Sequence, residues 1–339
     1  MTNPTITFPR PREVQLEQRE RPQPQAGSLL IRSRATLVSA GTEVTILSGE
    51  FDPGSAWAAY GVFPFDPGYS SVGVVEGVGE GVDRSWLGRR VASGAPHARY
   101  ATVPPEFARV VPDAVGDDPA TLFALAETVM NGVRRGRIAW GEDVVIFGAG
   151  VLGQLAARFC LLAGAAHTVV VDIDASRLAR LPQDASVIAV DATREQPREV
   201  VERVTAGRLA DVAIELTGSP DAIPGEFAVL RPQGRFLMLS SPRGTGTMFN
   251  FHDLCNAPSI EIIGAHIGSH PPVATPANPW TRERHAELYF ALLASGRIDV
   301  APVITRKAPY SEGPAVYRGF LERSSGDLGV VLDWTADGA

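Results

Sequence analysis

Hydrophobic and polar positions divide the chain into two textures. From Ile6 to about Val115, short apolar runs at 28–34, 71–78, 90–92 and 100–103 are separated by Gly and Pro. Runs of that length, bounded by turn formers, predict strands in a compact, irregular β domain. Residues 51–67 are rich in aromatics, Gly and Pro, which predicts a long loop of the kind that often carries function. The texture changes at Asp118. Residues 119–137 are rich in Ala and Leu at helical spacing, and from 143 onward the two patterns alternate. Strands are predicted at 143–147, 168–171, 211–216 and 234–239, with a short apolar segment at 187–190. Helices are predicted at 151–163, 176–181, 195–205 and 221–230. Strands alternating with helices imply a parallel sheet covered on both faces, a doubly wound α/β fold. A strand at 260–267 is expected to join that sheet. A helix at 281–295 and a strand at 329–332 are expected to return to the first domain.

One turn in the second texture carries chemistry. The apolar strand ending at Phe147 runs straight into Gly148-Ala149-Gly150-Val151-Leu152-Gly153, and a helix follows from Val151. Gly148 permits the tight turn, Gly150 lets backbone approach a pyrophosphate, and Gly153 allows close packing of helix on sheet. The helix N-terminus faces the phosphate charge. Asp172 ends the next strand, 19 residues beyond Gly153. A carboxylate there accepts from ribose hydroxyls and repels a 2′-phosphate, so NAD is expected over NADP. Arg177 is placed to cap the adenine side of NAD or to recover some NADP binding.

Composition narrows the function classes. A chain of 339 residues exceeds one typical domain, and 45% hydrophobic with 20% charged residues describes a folded globular protein. The net charge of -7 leaves no basic surplus for nucleic acid or an anionic membrane. Lys307 is the only lysine. With two cysteines, Cys160 and Cys255, neither a disulfide framework nor a cysteine zinc knuckle is expected. Residues 1–12 hold no apolar signal core, and no run of about 18 apolar residues occurs, so a cytoplasmic protein with a small-molecule substrate is expected.

With the β-rich domain before the glycine turn, the whole chain resembles the medium-chain dehydrogenase/reductase superfamily, in its alcohol and polyol dehydrogenase group. The resemblance implies a Rossmann domain at 126–268 and a GroES-like catalytic domain from 1–125 and 269–339. In that family a Cys-Gly-Thr-Asp pattern supplies a catalytic zinc ligand and a hydroxyl relay; here Ala40-Gly41-Thr42-Glu43 stands in its place. The family's Gly-His-Glu is matched by Gly68-Tyr69-Ser70, and the third ligand falls near Ala124, with Glu127 close by. The four clustered cysteines of the structural zinc loop are missing. Zinc needs thiolate, imidazole or carboxylate ligands, so no zinc is expected. The resemblance also gives cofactor contacts to Leu216 and Thr217. It gives the nicotinamide carboxamide to backbone groups around Leu239, Ser241, Ala265 and Ile267. It further implies a homodimer or homotetramer paired through a sheet edge, for which 260–267 is the candidate.

Without zinc, side chains must move the alcohol proton and stabilise the developing alkoxide. The candidates are Thr42, Tyr69, Glu43 and Glu127. For the substrate they are His266, His270, Trp280 and Asn131. Each has a plain alternative: Thr42 as a turn residue, Glu43 as a helix-start charge, Glu127 as a solvated helix position, Tyr69 and the histidines as packing. Asn250, His252, Asp253 and Asn278 are further polar candidates, while His97 and His285 are read as structural. The first functional reading is zinc-independent, NAD-dependent interconversion of a secondary alcohol and a ketone on a sugar, cyclitol or sugar-like substrate. The alternatives are an NAD(P)H-dependent quinone or enoyl reductase, and an inactive dinucleotide-binding protein.

Overall fold

The computed structural model describes residues 2–242, 244 and 249–336. It folds as two units, Met1–Ala124 with Ala286–Ala339, and Leu125–His285. The first unit holds strands β1 (Thr2–Thr7), β2 (Gln15–Glu20), β3 (Leu29–Val38), β4 (Ser71–Val78), β5 (Arg90–Ser93), β6 (Tyr100–Val103) and β7 (Ala108–Val110). The second holds β8 (Asp143–Phe147), β9 (His167–Asp172), β10 (Val187–Asp191), β11 (Ala210–Glu215), β12 (Leu230–Met238) and β13 (Glu261–Gly264). Strands β14 (Ile304–Pro309) and β15 (Gly329–Asp333) return to the first unit. The helices are α1 (Ala40–Ser48), α2 (Ala56–Tyr60), α3 (Asp117–Ala120), α4 (Phe123–Arg135) and α5 (Val151–Ala163), then α6 (Ala175–Leu178), α7 (Pro197–Val204), α8 (Ile223–Phe227), α9 (Arg282–Ala294) and α10 (Gly313–Leu321).

In the first unit β1 and β2 form an antiparallel pair, and a second sheet runs β14-β15-β3-β4-β5-β7, with β6 also paired to β3. Its core includes Ile6, Phe8, Ile46, Leu47, Tyr317 and Trp334. Apolar residues of α1 enter that core, which fixes the helix directly after β3. In the second unit all six strands are parallel, in the order β10-β9-β8-β11-β12-β13. Each of the five residues of β8 is buried, as expected of a central parallel strand covered on both faces. The order reverses between β8 and β11. In such sheets ligands bind outside the carboxyl ends of the strands at that point.

The doubly wound α/β fold with a separate β-rich sheet agrees with the sequence reading, and several boundaries differ. The expected loop at 51–67 contains α2, whose first turn is closed by the Ser55 side chain accepting from the Ala58 N–H. The expected helix at 119–137 is two helices, α3 and α4. The expected strand at 260–267 stops at Gly264, and Ile267–Ser269 form a 3-10 turn. The expected helix at 221–230 shrinks to α8, where Pro224 and Gly225 discourage a longer one. The second domain boundary falls at 285 and not at 268. Residues beyond 268 are tied to α4, because Asn131 Nδ2 donates to Ser269 Oγ at 2.8 Å and Arg282 Nε donates to Glu127 Oε2 at 2.9 Å. Among the described residues no helix is long and apolar enough to cross a membrane.

Gly153 shows how tightly α5 meets the sheet. A Cβ there would lie 1.8 Å from the Gly148 carbonyl oxygen, a backbone atom that cannot turn aside. Gly153→Ala is therefore expected to cost about 1–3 kcal/mol through overpacking. Urea denaturation of the two proteins checks it, and equal midpoints would contradict the contact.

Candidate active site

The glycine turn sits at the carboxyl end of β8. Gly148 has φ of 99°, a left-handed conformation that favours glycine, and a Cβ there would lie 2.8 Å from the Leu216 carbonyl oxygen. Around Gly150, by contrast, a Cβ would meet nothing within 4 Å. The backbone at the start of α5 thus faces open space, and no side chain caps that end. Free N–H groups and the helix dipole there suit a diphosphate. Val151 and Leu152 open the helix, half-buried. Residue types and backbone at this turn fit a dinucleotide.

Asp172 ends β9 in the place the sequence gives it, and both its carboxylate oxygens have partners in the fold. Its Oδ2 accepts from the Ala149 N–H at 2.6 Å, and its Oδ1 from the Asp174 N–H at 2.9 Å. The carboxylate braces the glycine turn. Arg177 forms an ion pair with Asp174 at 3.4 Å. Leu216 N–H donates to the Phe147 carbonyl, holding the turn after β11 beside the turn after β8. Thr217 Oγ1 donates to Glu215 Oε1 at 2.6 Å, and Ser240 donates to the other oxygen. Leu239 lies against Gly132, where a Cβ would meet its methyl groups at 2.8 Å. Ser241 is exposed. Ala265 is buried, and its N–H donates to the Met238 carbonyl at 3.0 Å.

The first unit gathers hydroxyl groups around α1. Ser39 is the N-cap, and Thr42 and Glu43 lie in the first turn. Tyr69, just before β4, brings its phenol oxygen 2.5 Å from Ser39 Oγ. The Thr42 hydroxyl lies near the same phenol and lowers its pKa slightly. Glu43 is 1% exposed. Its Oε2 accepts from the Ser39 N–H at 3.0 Å and from the Tyr317 hydroxyl at 2.6 Å, and His97 Nε2 lies 3.4 Å away. Trp334 Nε1 donates to Thr36 Oγ1, which lies 2.7 Å from His97 Nδ1. That order lets Thr36 donate to Nδ1 and leaves the His97 proton on Nε2, toward Glu43. Burial, then the Glu43 charge, push the Tyr69 phenol up to about 12. Tyr69 is therefore a neutral hydroxyl donor across the physiological range.

The resemblance points to three zinc-ligand positions, and the groups there do not fit the ion. Ala40 and Ala124 offer methyl groups, and Tyr69 offers a phenol held neutral and bonded to Ser39. Glu127, beside the third position, is 1% exposed and paired with Arg282. Zinc needs thiolate, imidazole or carboxylate donors, usually three or four.

The substrate candidates lie in the second unit, each with partners inside it. His266 Nδ1 accepts from the Gly268 N–H in its own turn. His270 is buried and bonded to Ile267 and His285. Over the Trp280 ring lie the guanidinium groups of Arg134, 3.2 Å from its centre, and Arg284, at 4.0 Å. Asn131 is bonded to Ser269. Among the further candidates, Asn250 donates to Asp253 at 2.6 Å, and the Asn278 carbonyl oxygen accepts from the Thr275 N–H at 3.1 Å. Ser39, Tyr317 and Arg282 escaped the sequence reading, because their partners lie far along the chain or offer no motif. Ser39 alone carried a signal, as a cap-forming residue just ahead of the turn that holds Thr42 and Glu43.

The family description of zinc-binding dehydrogenases matches residues 151–281. An L-threonine 3-dehydrogenase of Chromobacterium violaceum is 26% identical over 355 residues, covering 94% of this chain and 96% of the relative. Galactitol-1-phosphate dehydrogenase of Escherichia coli has a similar structure, with a TM-score of 0.82 at 14% identity, covering 98% of this chain and 100% of that one. A Sinorhizobium meliloti 1021 structure, provisionally assigned as a zinc-binding dehydrogenase and solved with NADP, has a TM-score of 0.82 at 19% identity, covering 98% and 99%.

Proposed function

We propose, for a chain that belongs to the medium-chain dehydrogenase/reductase superfamily and is an alcohol dehydrogenase-like oxidoreductase with a nicotinamide cofactor, that it interconverts a secondary alcohol and a ketone with NAD and without zinc. Its substrate is polar: a sugar, a cyclitol or a sugar-like ring. The observation that carries this reading is the neutral phenol of Tyr69 at a lost metal-ligand position, bonded to Ser39 and near Thr42.

Gly148, Gly150, Val151, Leu152 and Gly153 hold the pyrophosphate of NAD, Asp172 and Arg177 its adenosine end, and the backbone around Leu216, Thr217, Leu239, Ser241, Ala265 and Ile267 its nicotinamide end. When bound, NAD supplies the hydride acceptor. In the reductive direction Tyr69 donates its hydroxyl proton to the substrate oxygen as negative charge develops there. Ser39 and Thr42 replace that proton along the row of hydroxyls, and in the oxidative direction the alcohol proton leaves by the same row. Glu43 is a positioning residue, because it holds the Ser39 backbone and the first turn of α1. Glu127, held by Arg282, is left with positioning as well. His266, Asn131 and Trp280 stay on the substrate list, since a polyhydroxylated ring needs several hydrogen-bonding groups and a flat face.

Incubation with NAD and a panel of polyols, and separately with NADH or NADPH and enones, tests the reading through nicotinamide absorbance. Polyol turnover is expected; enone reduction without it would favour a quinone or enoyl reductase. Asp172→Ser is expected to weaken NAD and to relax discrimination against NADP. Unchanged affinity for both would remove Asp172 from the cofactor site. The same reading places the protein in the cytoplasm as a homodimer or homotetramer joined through the free edge of β13, where Ile262 is 48% exposed.

A further inference from the structure

The second unit carries a polar chain of one arginine and two imidazoles that the proposed chemistry does not use. Arg134 Nε donates to His285 Nε2 at 3.1 Å. His285 Nδ1 lies 3.0 Å from His270 Nε2, and His270 Nδ1 lies 2.7 Å from the Ile267 carbonyl oxygen. A guanidinium can only donate. His285 Nε2 must therefore accept, which puts the single proton of that ring on Nδ1, and Nδ1 donates to His270 Nε2. The His270 proton is then left on Nδ1 and goes to Ile267. Both rings are neutral, each in one tautomer, and the hydrogen bonds run in one direction.

The surroundings keep that order. Burial, then His270 and the guanidinium groups of Arg134 and Arg284, push His285 down to about 3, and burial lowers His270 as well. At its start the chain is anchored by the Arg134 guanidinium over Trp280, whose ring stacks on His285 at 5.4 Å. At its end Ile267 follows β13, past the carboxyl edge of the sheet. With one nucleotide half over β8, β9 and β10, the other half falls on the carboxyl ends of β11, β12 and β13.

We infer that His270 and His285 are positioning residues that fix the Ile267 carbonyl, and with it the backbone from Ala265 to Ile267, for the nicotinamide end of the cofactor. This rests on the cofactor reading proposed above. Calorimetric titration with NADH and with ADP-ribose, which keeps the adenosine and pyrophosphate but has no nicotinamide, tests it on the wild type, His285→Ala and His285→Asn. His285→Ala is expected to weaken NADH about 10-fold, the loss of one good hydrogen bond, and to leave ADP-ribose within about twofold. His285→Asn, whose amide can donate in place of Nδ1, is expected to recover most of the NADH affinity. Unchanged NADH binding in His285→Ala, or equal losses for NADH and ADP-ribose, would overturn the inference. A wild-type chain that binds neither ligand would instead overturn the cofactor reading beneath it.

Discussion

Tyr69→Phe is expected to lower kcat for the proposed polyol substrate by about 10²–10³-fold while leaving NAD affinity unchanged, the range seen when one oxyanion donor is removed. The substitution keeps the ring and deletes only the oxygen that lies 2.5 Å from Ser39. The aromatic packing survives, and on the proposed mechanism the Ser39 and Thr42 hydroxyls lose the group that presents their proton to the substrate. Steady-state kinetics with a parallel NADH titration would check it. A fall in kcat of less than about tenfold would reduce Tyr69 to a packing role. The pH profile adds a sign. Because the phenol is pushed up to about 12, it stays protonated through neutral pH, and its own ionisation adds no limb to the profile between about pH 6 and 10.

The second large effect concerns stability. Glu226, on α8, is 1% exposed, and both its carboxyl oxygens are buried without a hydrogen-bond partner. Burial, then the nearby Glu215 charge, raise it from 4.5 to about 9. Below about pH 4.5 the acid is neutral in folded and unfolded chains alike. Between about 4.5 and 9 the unfolded chain ionises and the folded chain resists, so the wild type loses stability as pH rises. At pH 7 the cost is about 3 kcal/mol, from the proton linkage over that interval. Glu226→Met, close in volume and without charge, removes the slope. Urea denaturation at pH 5 and pH 8 is expected to show the variant's advantage widening with pH. Parallel pH dependence in the two proteins would rule the account out.

The part of the molecule built from local signals was readable in the chain. β8 is a run of apolar residues, the glycines of the turn keep their register, and Asp172 ends the next strand. Helix α5 runs over the residues expected of it. The polar chemistry was less readable, because its partners lie far apart. Glu43 meets Tyr317 across 274 positions, and no local pattern announces the pair. His285 read as structural, yet it joins His270 and Arg134, 15 and 151 positions away. The end of β13 differs from its expected place for another reason. Ala265 and Ile267 extend the apolar spacing past His266, but β12 ends its pairing at Gly264, and hydrophobicity alone does not set where a ladder stops.

The double bond-making of Asp172 bears on anyone who would redesign the cofactor preference of this protein. One carboxylate oxygen holds Ala149 in the glycine turn and the other holds the chain at Asp174. On the proposed cofactor reading, deleting the negative charge to admit a 2′-phosphate would also untie the turn proposed to hold the pyrophosphate, so the gain at one end of the dinucleotide would be spent at the other. Asparagine at this position, which keeps an acceptor for Ala149 and discards the charge, is the economical starting point. A serine or glycine there would call for a second change that re-ties the turn.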